Sequence, residues 1–240
     1  MIKRAIFQIN VKISDHTGFK RFKPVPDLYE LSEKQARSFS KKWSVDYVQI
    51  NDCDYLPDKH PVFQSFKMYE MDYDEILYLD MDAVILNRCP NIFDLFKEHT
   101  FSAVRNYDWD KNTEKYNNYR EDACRVYNAK TDYRPFCAGV MLIKKEFLDS
   151  TKNLWRQYLN EKKYKAHGFD QPIWNQLVVD MGGKYNELGE EWGAWYRTGK
   201  YIDHLGGPFR KFDFNVLDYI KKHNLPYDDE NSLTKFFERP

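Results

Sequence analysis

Two spacings of apolar residues divide the chain. Ala5 to Val11 reads as a first strand. Ser32 opens a helix, with Gln35 three residues on completing a capping box, and Ala36, Phe39 and Trp43 fall at helical spacing on one core-facing side. Asp46 to Ile50 is a second strand, so the order begins strand, helix, strand. Pro61 starts another helical stretch, with Val62, Phe66 and Tyr69 on one stripe. The run Ile76-Leu77-Tyr78-Leu79 has no polar alternation and predicts a central strand buried on both faces. A short helical segment over Ile92 to Phe96 and a strand over Phe101 to Val104 follow. Phe136 to Ile143 is a stretch of small residues leading into a buried strand, where Gly139 permits close approach of the backbone to a ligand or neighbour, and Phe147, Thr151, Leu154 and Tyr158 mark a long helix after it. Ile173, Leu177 and Val178 define a further helix that ends before Gly182. Tyr201 to His204 is a late strand, and Phe212 to Pro240 is a short helix with a polar tail. The pattern is that of an α/β protein.

The chemistry concentrates where the central strand ends. Asp80-Met81-Asp82 follows Leu79 directly, and in open α/β sheets the carboxyl end of a strand is where ligands bind. Two carboxylates there cannot be buried without a partner, because desolvating an unpaired ion costs several kcal/mol or more. A hard divalent cation such as Mg²⁺ or Mn²⁺ would satisfy both; loop capping or pairing with Lys and Arg would do so as well. Lys67, shortly upstream, has two readings, a cation facing a diphosphate or a solvated lysine. Asp170, followed by Gln171 and Pro172, has the makings of a helix N-cap. His204 ends a strand before Gly206 and Gly207; it is either delivered to a site or hydrogen-bonded within the core. Arg105 to Pro135 is polar and rich in tyrosine, about thirty residues without strong periodicity, a length that suggests a functional loop or lid. Its Tyr107, Trp109, Tyr116 and Tyr119 could stack on sugar rings or simply pack.

Composition sets bounds. At 240 residues the chain fits one large α/β domain. Lys plus Arg and Asp plus Glu balance at 37 each, with no basic run, which argues against nucleic acid or an anionic membrane surface as the main partner. No segment approaches the ~18 apolar residues of a spanning helix. Cys53, Cys89, Cys124 and Cys137 show no zinc or redox spacing, and reduced thiols in a cytoplasmic protein are expected.

Taken together, Tyr73-Asp74-Glu75-Ile76-Leu77-Tyr78-Leu79-Asp80-Met81-Asp82, Ala138-Gly139-Val140, Asp170-Gln171 and His204-Leu205-Gly206-Gly207-Pro208-Phe209-Arg210 resemble, in that order, the glycogenin-like branch of nucleotide-diphospho-sugar transferases. The resemblance implies a single GT-A domain over 1–240, a Rossmann-like mixed central sheet flanked by helices. Residues 1–82 would form the nucleotide-binding half, 83–211 the sugar and acceptor half, and 212–240 a C-terminal helix and tail. It implies transfer of a sugar from a UDP- or GDP-sugar donor to a hydroxyl acceptor such as a glycan.

Residue by residue, the resemblance makes Asp80, Asp82 and His204 ligands of Mn²⁺ (or Mg²⁺), the metal in turn holding the donor diphosphate. Gly207, Arg210 and Lys211 occupy the phosphate-binding slot, where the family carries lysine; Arg can serve by bidentate pairing with different geometry. Asp170 and Gln171 match the pair that contacts the transferred sugar. The chain departs from the pattern at Cys137, where many members have asparagine, and at Gly193, where asparagine often follows the tryptophan. Two other readings compete: a nucleotide-sugar-binding domain that has lost turnover, and a haloacid-dehalogenase-like phosphatase, which shares an Asp-x-Asp after a strand. The phosphatase pattern lacks its glycine-threonine pair here, since Ala83-Val84 follows.

Overall fold

The computed structural model describes residues 2–11, 26–96, 98–105, 133–161, 170–193, 199–205 and 216–225. Its elements are β1 (Arg4–Ile9), α1 (Pro26–Trp43), β2 (Asp46–Ile50), a 3₁₀ helix (Pro61–Glu70), β3 (Glu75–Leu79), β4 (Ala83–Ile85), α2 (Ile92–Leu95), β5 (Phe101–Arg105), β6 (Phe136–Lys144), α3 (Lys145–Thr151), α4 (Trp155–Leu159), α5 (Gln171–Asp180), β7 (Asn186–Leu188), β8 (Ile202–His204) and α6 (Val216–His223). Six strands form one sheet in the order β2-β1-β3-β6-β5-β7, and β4 pairs with β8 in a second, two-stranded sheet. In the large sheet β1 is parallel to β2 and β3, β6 is antiparallel to β3 and β5, and β7 is parallel to β5.

All five residues of β3 are buried, as its apolar run requires of a strand covered on both faces. Its side chains alternate between two cores. Ile76 and Tyr78 pack with Phe66, Phe147, Trp155 and Trp174 on the side of the 3₁₀ helix and α3–α5. Leu77 and Leu79 pack with Ala36, Phe39, Trp43 and Phe93 on the side of α1 and α2. A third cluster joins Leu28 and Leu31 of α1 to Val84, Leu205 and Ile220, tying α1, β4 and the C-terminal helix together.

Several sequence expectations need correction. The first strand stops at Ile9, not Val11. Helix α1 already includes Pro26 and extends its buried stripe through Leu28 and Leu31, so Ser32 and Gln35 lie inside it and form no capping box. The Ser32 hydroxyl instead donates to the Ala83 carbonyl (2.5 Å) and accepts from Gln8 Nε2 (2.9 Å). The long helix expected after β6 is two short ones, α3 and α4. At the break, the Thr151 hydroxyl bonds back to the Phe147 carbonyl (2.8 Å) and lies 2.8 Å from the Tyr69 hydroxyl; such back-bonding competes with continued helix. Asp170 stands at the start of α5 but its side chain makes no cap bond.

One buried amide fixes α5 against β6. Asn175 accepts from the Phe136 N–H (3.1 Å) and the Tyr133 hydroxyl (2.8 Å), and donates to the carbonyls of Phe136 (3.1 Å) and Gln171 (2.9 Å). A backbone group buried without a partner is costly, so truncation here orphans both polar groups of Phe136. Asn175→Ala is expected to lower stability by about 2–4 kcal/mol. Urea denaturation checks this, as a lower midpoint at an unchanged slope.

Candidate functional site

The site is built by a turn and a distant strand. The Ala83 N–H donates to the Asp80 carbonyl (2.9 Å), closing a turn between β3 and β4 that carries both aspartates. The β4–β8 register sets Ala83 opposite His204, and the Leu205 N–H donates to the Asp82 carbonyl (2.8 Å). Pairing of these two strands thus brings His204 to a turn far from it in sequence. Its Nε2 lies 3.5 Å from Asp80 Oδ2 and 3.2 Å from Asp82 Oδ1. Asp82 and His204 are buried, Asp80 partly exposed.

Each group is oriented by a neighbour. The Tyr78 hydroxyl donates to Asp80 Oδ1 (2.8 Å), leaving Oδ2 to face the histidine. Burial, with Asp80 and Asp170 nearby, pushes the Tyr78 pKa well above its usual value and keeps it a donor. On the far side of the imidazole, Cys137 Sγ is 3.8 Å from Nδ1. Burial disfavours a charged His204 ring, yet Cys137, Asp80 and Asp82 outweigh it, and the pKa stands well above the ordinary histidine value. Asp203 anchors β8 from the outside: fully buried, it accepts from the Tyr219 hydroxyl and from the Gly199 N–H (2.6 Å).

Gly139 makes the close packing possible. Ala138, Gly139 and Val140 intervene between two β6 residues that pair with adjacent residues of β5, since Val104 meets Cys137 and Ala103 meets Met141. This bulge presses the β6 backbone toward the site, a common use of bulges. A Cβ at Gly139 would lie 2.2 Å from His204 Cε1, 2.7 Å from Nε2 and 2.8 Å from Asp80 Oδ2. The close approach expected of this glycine is therefore made to the side chains of His204 and Asp80.

Asp170 and Gln171 lie at the start of α5. Asp170 Oδ2 accepts from the Ser65 hydroxyl (2.8 Å). Burial, reinforced by the charge of Asp80, raises the Asp170 pKa to about 7. Gln171 Oε1 accepts from the Ala138 N–H (3.3 Å), on the same bulge. Lys67 is otherwise engaged: Glu70 accepts from its ammonium at 2.7 Å and the Tyr55 ring lies 4.7 Å beneath it. Gly207, Arg210 and Lys211 lie outside the described residues, as do 106–132 with Tyr107, Trp109, Tyr116 and Tyr119.

Sequence reasoning passed over three contributors: Tyr78, Ser65 and Gln8. The Gln8 side chain, wholly buried, accepts from the Tyr47 hydroxyl (2.9 Å) and its Nε2 lies 3.5 Å from the Asp80 carbonyl. The only signal for Gln8 was a polar residue inside an apolar strand. Among the described residues, Asp80, Asp82 and His204 form a group able to hold a metal, with ligand atoms within 4.8 Å of one another.

No protein-family model and no curated protein matches the sequence. Solved structures do match in fold. The galactosyltransferase LgtC, in complex with donor and acceptor sugar analogues, superimposes with a TM-score of 0.56 at 12% identity, over 96% of this chain and 99% of that one. The glycosyltransferase GlyE of Streptococcus pneumoniae TIGR4 gives 0.57 at 14% identity over 99% of this chain, which spans 64% of GlyE. A glycosyltransferase involved in glycosylation of the major capsid of PBCV-1 gives 0.54 at 9%, over 93% of this chain and all of that one (100%). The chain has the GT-A fold, a mixed sheet flanked by helices, as the resemblance implied. The narrower glycogenin-like branch is not shown by a likeness of fold. Among the described residues, no helix is long and apolar enough to cross a membrane.

Gly139→Ala is expected to leave the sheet folded but displace the His204 imidazole. Affinity for Mn²⁺, measured by calorimetry, should fall by at least about tenfold, the scale of losing support around a metal ligand.

Proposed function

We propose that the protein is a metal-dependent glycosyltransferase, moving a sugar from a UDP- or GDP-sugar to an acceptor hydroxyl, such as one on a glycan. One observation carries this reading: the Asp-Asp-His cluster stands at the carboxyl end of the central strand of a GT-A fold. The donor set suits a divalent cation. Two carboxylate oxygens and an imidazole nitrogen within 4.8 Å of one another can all reach one ion at the usual 2.0–2.6 Å, roughly. The buried acidic charge of Asp82 supplies the electrostatic reason to bind one.

When bound, Mn²⁺ or Mg²⁺ would act as a Lewis acid that neutralises charge on the departing diphosphate. The protein's own groups would do the rest. Asp80, Asp82 and His204 Nε2 would hold the ion, with Tyr78 orienting Asp80 and Cys137 facing the other nitrogen of His204. Arg210 and Lys211, after Gly207, would stabilise the phosphates electrostatically. Asp170 and Gln171 would face the transferred sugar, whose reacting carbon becomes positive in an oxocarbenium-like state. A carboxyl with a pKa of about 7 can accept a proton or support that charge. The GT-A fold gives the phosphatase reading no support.

Asp82→Asn removes half of the acidic pair with little change in size. Metal-dependent turnover is expected to vanish while the thermal unfolding of the metal-free protein stays close to wild type. Full activity of this variant at saturating Mn²⁺ would remove Asp82 from the metal site. A screen of UDP- and GDP-sugars by thermal shift, with and without Mn²⁺, should identify the donor. At 100-fold its dissociation constant a true donor stabilises by about 2.7 kcal/mol. Donor hydrolysis or transfer then separates an enzyme from a binding domain.

A further inference from the structure

The 3₁₀ helix brings an unassigned hydroxyl to Asp170. Ser65 is wholly buried, its hydroxyl donating to Asp170 Oδ2 at 2.8 Å. The Ser65 hydroxyl oxygen accepts from the Trp174 indole N–H at 3.3 Å. An indole N–H is a donor only and an ionised carboxylate an acceptor only, so with Asp170 ionised Trp174 donates to Ser65 and Ser65 donates onward to Asp170. The indole itself has little freedom. It is fully buried, stacked 4.9 Å from Phe66 at 16° and 6.0 Å from Tyr69 at 9°, and Phe66 in turn stacks on Trp155 at 5.0 Å.

We infer that Ser65 is a positioning residue that, aimed by Trp174, holds Asp170 Oδ2 as a hydrogen-bond acceptor and leaves Oδ1 to face the sugar. The inference rests on the proposed role of Asp170 at the donor sugar. The hydrogen bond from Ser65 makes Oδ2 the less basic of the two oxygens. Proton exchange by Asp170 is thereby biased toward Oδ1. Without Ser65 the carboxyl could rotate, and its two oxygens would exchange roles. Among the described residues, three neighbours act on the Asp170 charge. Asp80 at the end of β3 raises its pKa, the Ser65 and Trp174 donors lower it, and Tyr78 on β3 feels its charge.

Ser65→Ala tests the inference in two ways. In the metal-free protein, the Asp170 carboxyl followed by ¹³C NMR should titrate higher than in wild type, because the variant loses a donor that favours the carboxylate. Trp174→Phe keeps an aromatic ring in the stack and should move the titration less. Combining the two changes should shift the titration by less than the sum of the two single shifts, as expected for groups that share one hydrogen-bond chain. With an identified donor and Mn²⁺, Ser65→Ala should lower kcat by roughly 10- to 100-fold, the scale of a misplaced reacting group, with donor KM near wild type. An unchanged Asp170 titration in folded Ser65→Ala overturns the inference, whatever the activity. If the wild type transfers no sugar but the titration shifts as expected, the proposed function falls while the positioning by Ser65 stands.

Discussion

A carboxylate placed in a nearly dry corner of a protein must be compensated, and this constraint organises the centre of the molecule. Asp82 is buried in the turn that joins β3 of the central sheet to β4 of the small β4–β8 sheet. Its charge is met by His204, brought opposite by pairing of β4 with β8. The same pairing would be of little use if β6 stood off. The bulge at Gly139 instead lets the β6 backbone close against the imidazole and Asp80 together. Outside β8, Asp203 and Tyr219 tie the strand to α6, so this helix helps hold the strand that carries His204. Three short segments, far apart in sequence, are locked by one electrostatic requirement.

The second half of the site depends on rigidity of a different kind. Asp170 and Gln171 sit at the start of a short helix whose orientation is set by Asn175 on one side and by the aromatic stack of Phe66, Tyr69, Trp155 and Trp174 on the other. Stacked rings lose little side-chain entropy and define their neighbours' positions well. They allow a single hydroxyl, that of Ser65, to address a carboxyl with a defined hydrogen-bond direction. Gln171 bonds to the N–H of Ala138 on the β6 bulge, so the two halves of the site share one structural element.

Local departures from the family pattern gain meaning in this setting. Cys137 lies two residues before Gly139 on β6 and faces Nδ1 of His204. A thiol is a weak acceptor compared with an amide, so at this position His204 has a softer neighbour than an asparagine side chain would be. Neighbours of the same fold at 9–14% identity share the architecture.

The sequence by itself determined the acidic pair and six of the eight described strands; β4 and β7, three residues each, are too short for an apolar pattern to mark. An unbroken apolar run such as Ile76 to Leu79 has one stable home, between two covered faces, and carboxylates at its end announce a site whatever the loops do. It also marked Gly139 as a place of close approach and, through the order of its motifs, the GT-A fold. Tertiary structure alone decided the partners. Ser32 looked like a helix cap and became a bridge from Gln8 to Ala83, because the preceding turns of α1 had apolar surface of their own to bury. Asp170 had the form of an N-cap, but its side chain turned to Ser65, a hydroxyl from the other end of the chain order. Lys67, free to face a phosphate in sequence, paired with Glu70 one helical step away. Apolar periodicity is a local property and survives reading in one dimension. Hydrogen-bond partners are chosen among groups that meet only after the sheet has closed, and no spacing along the chain encodes which of them will be nearest.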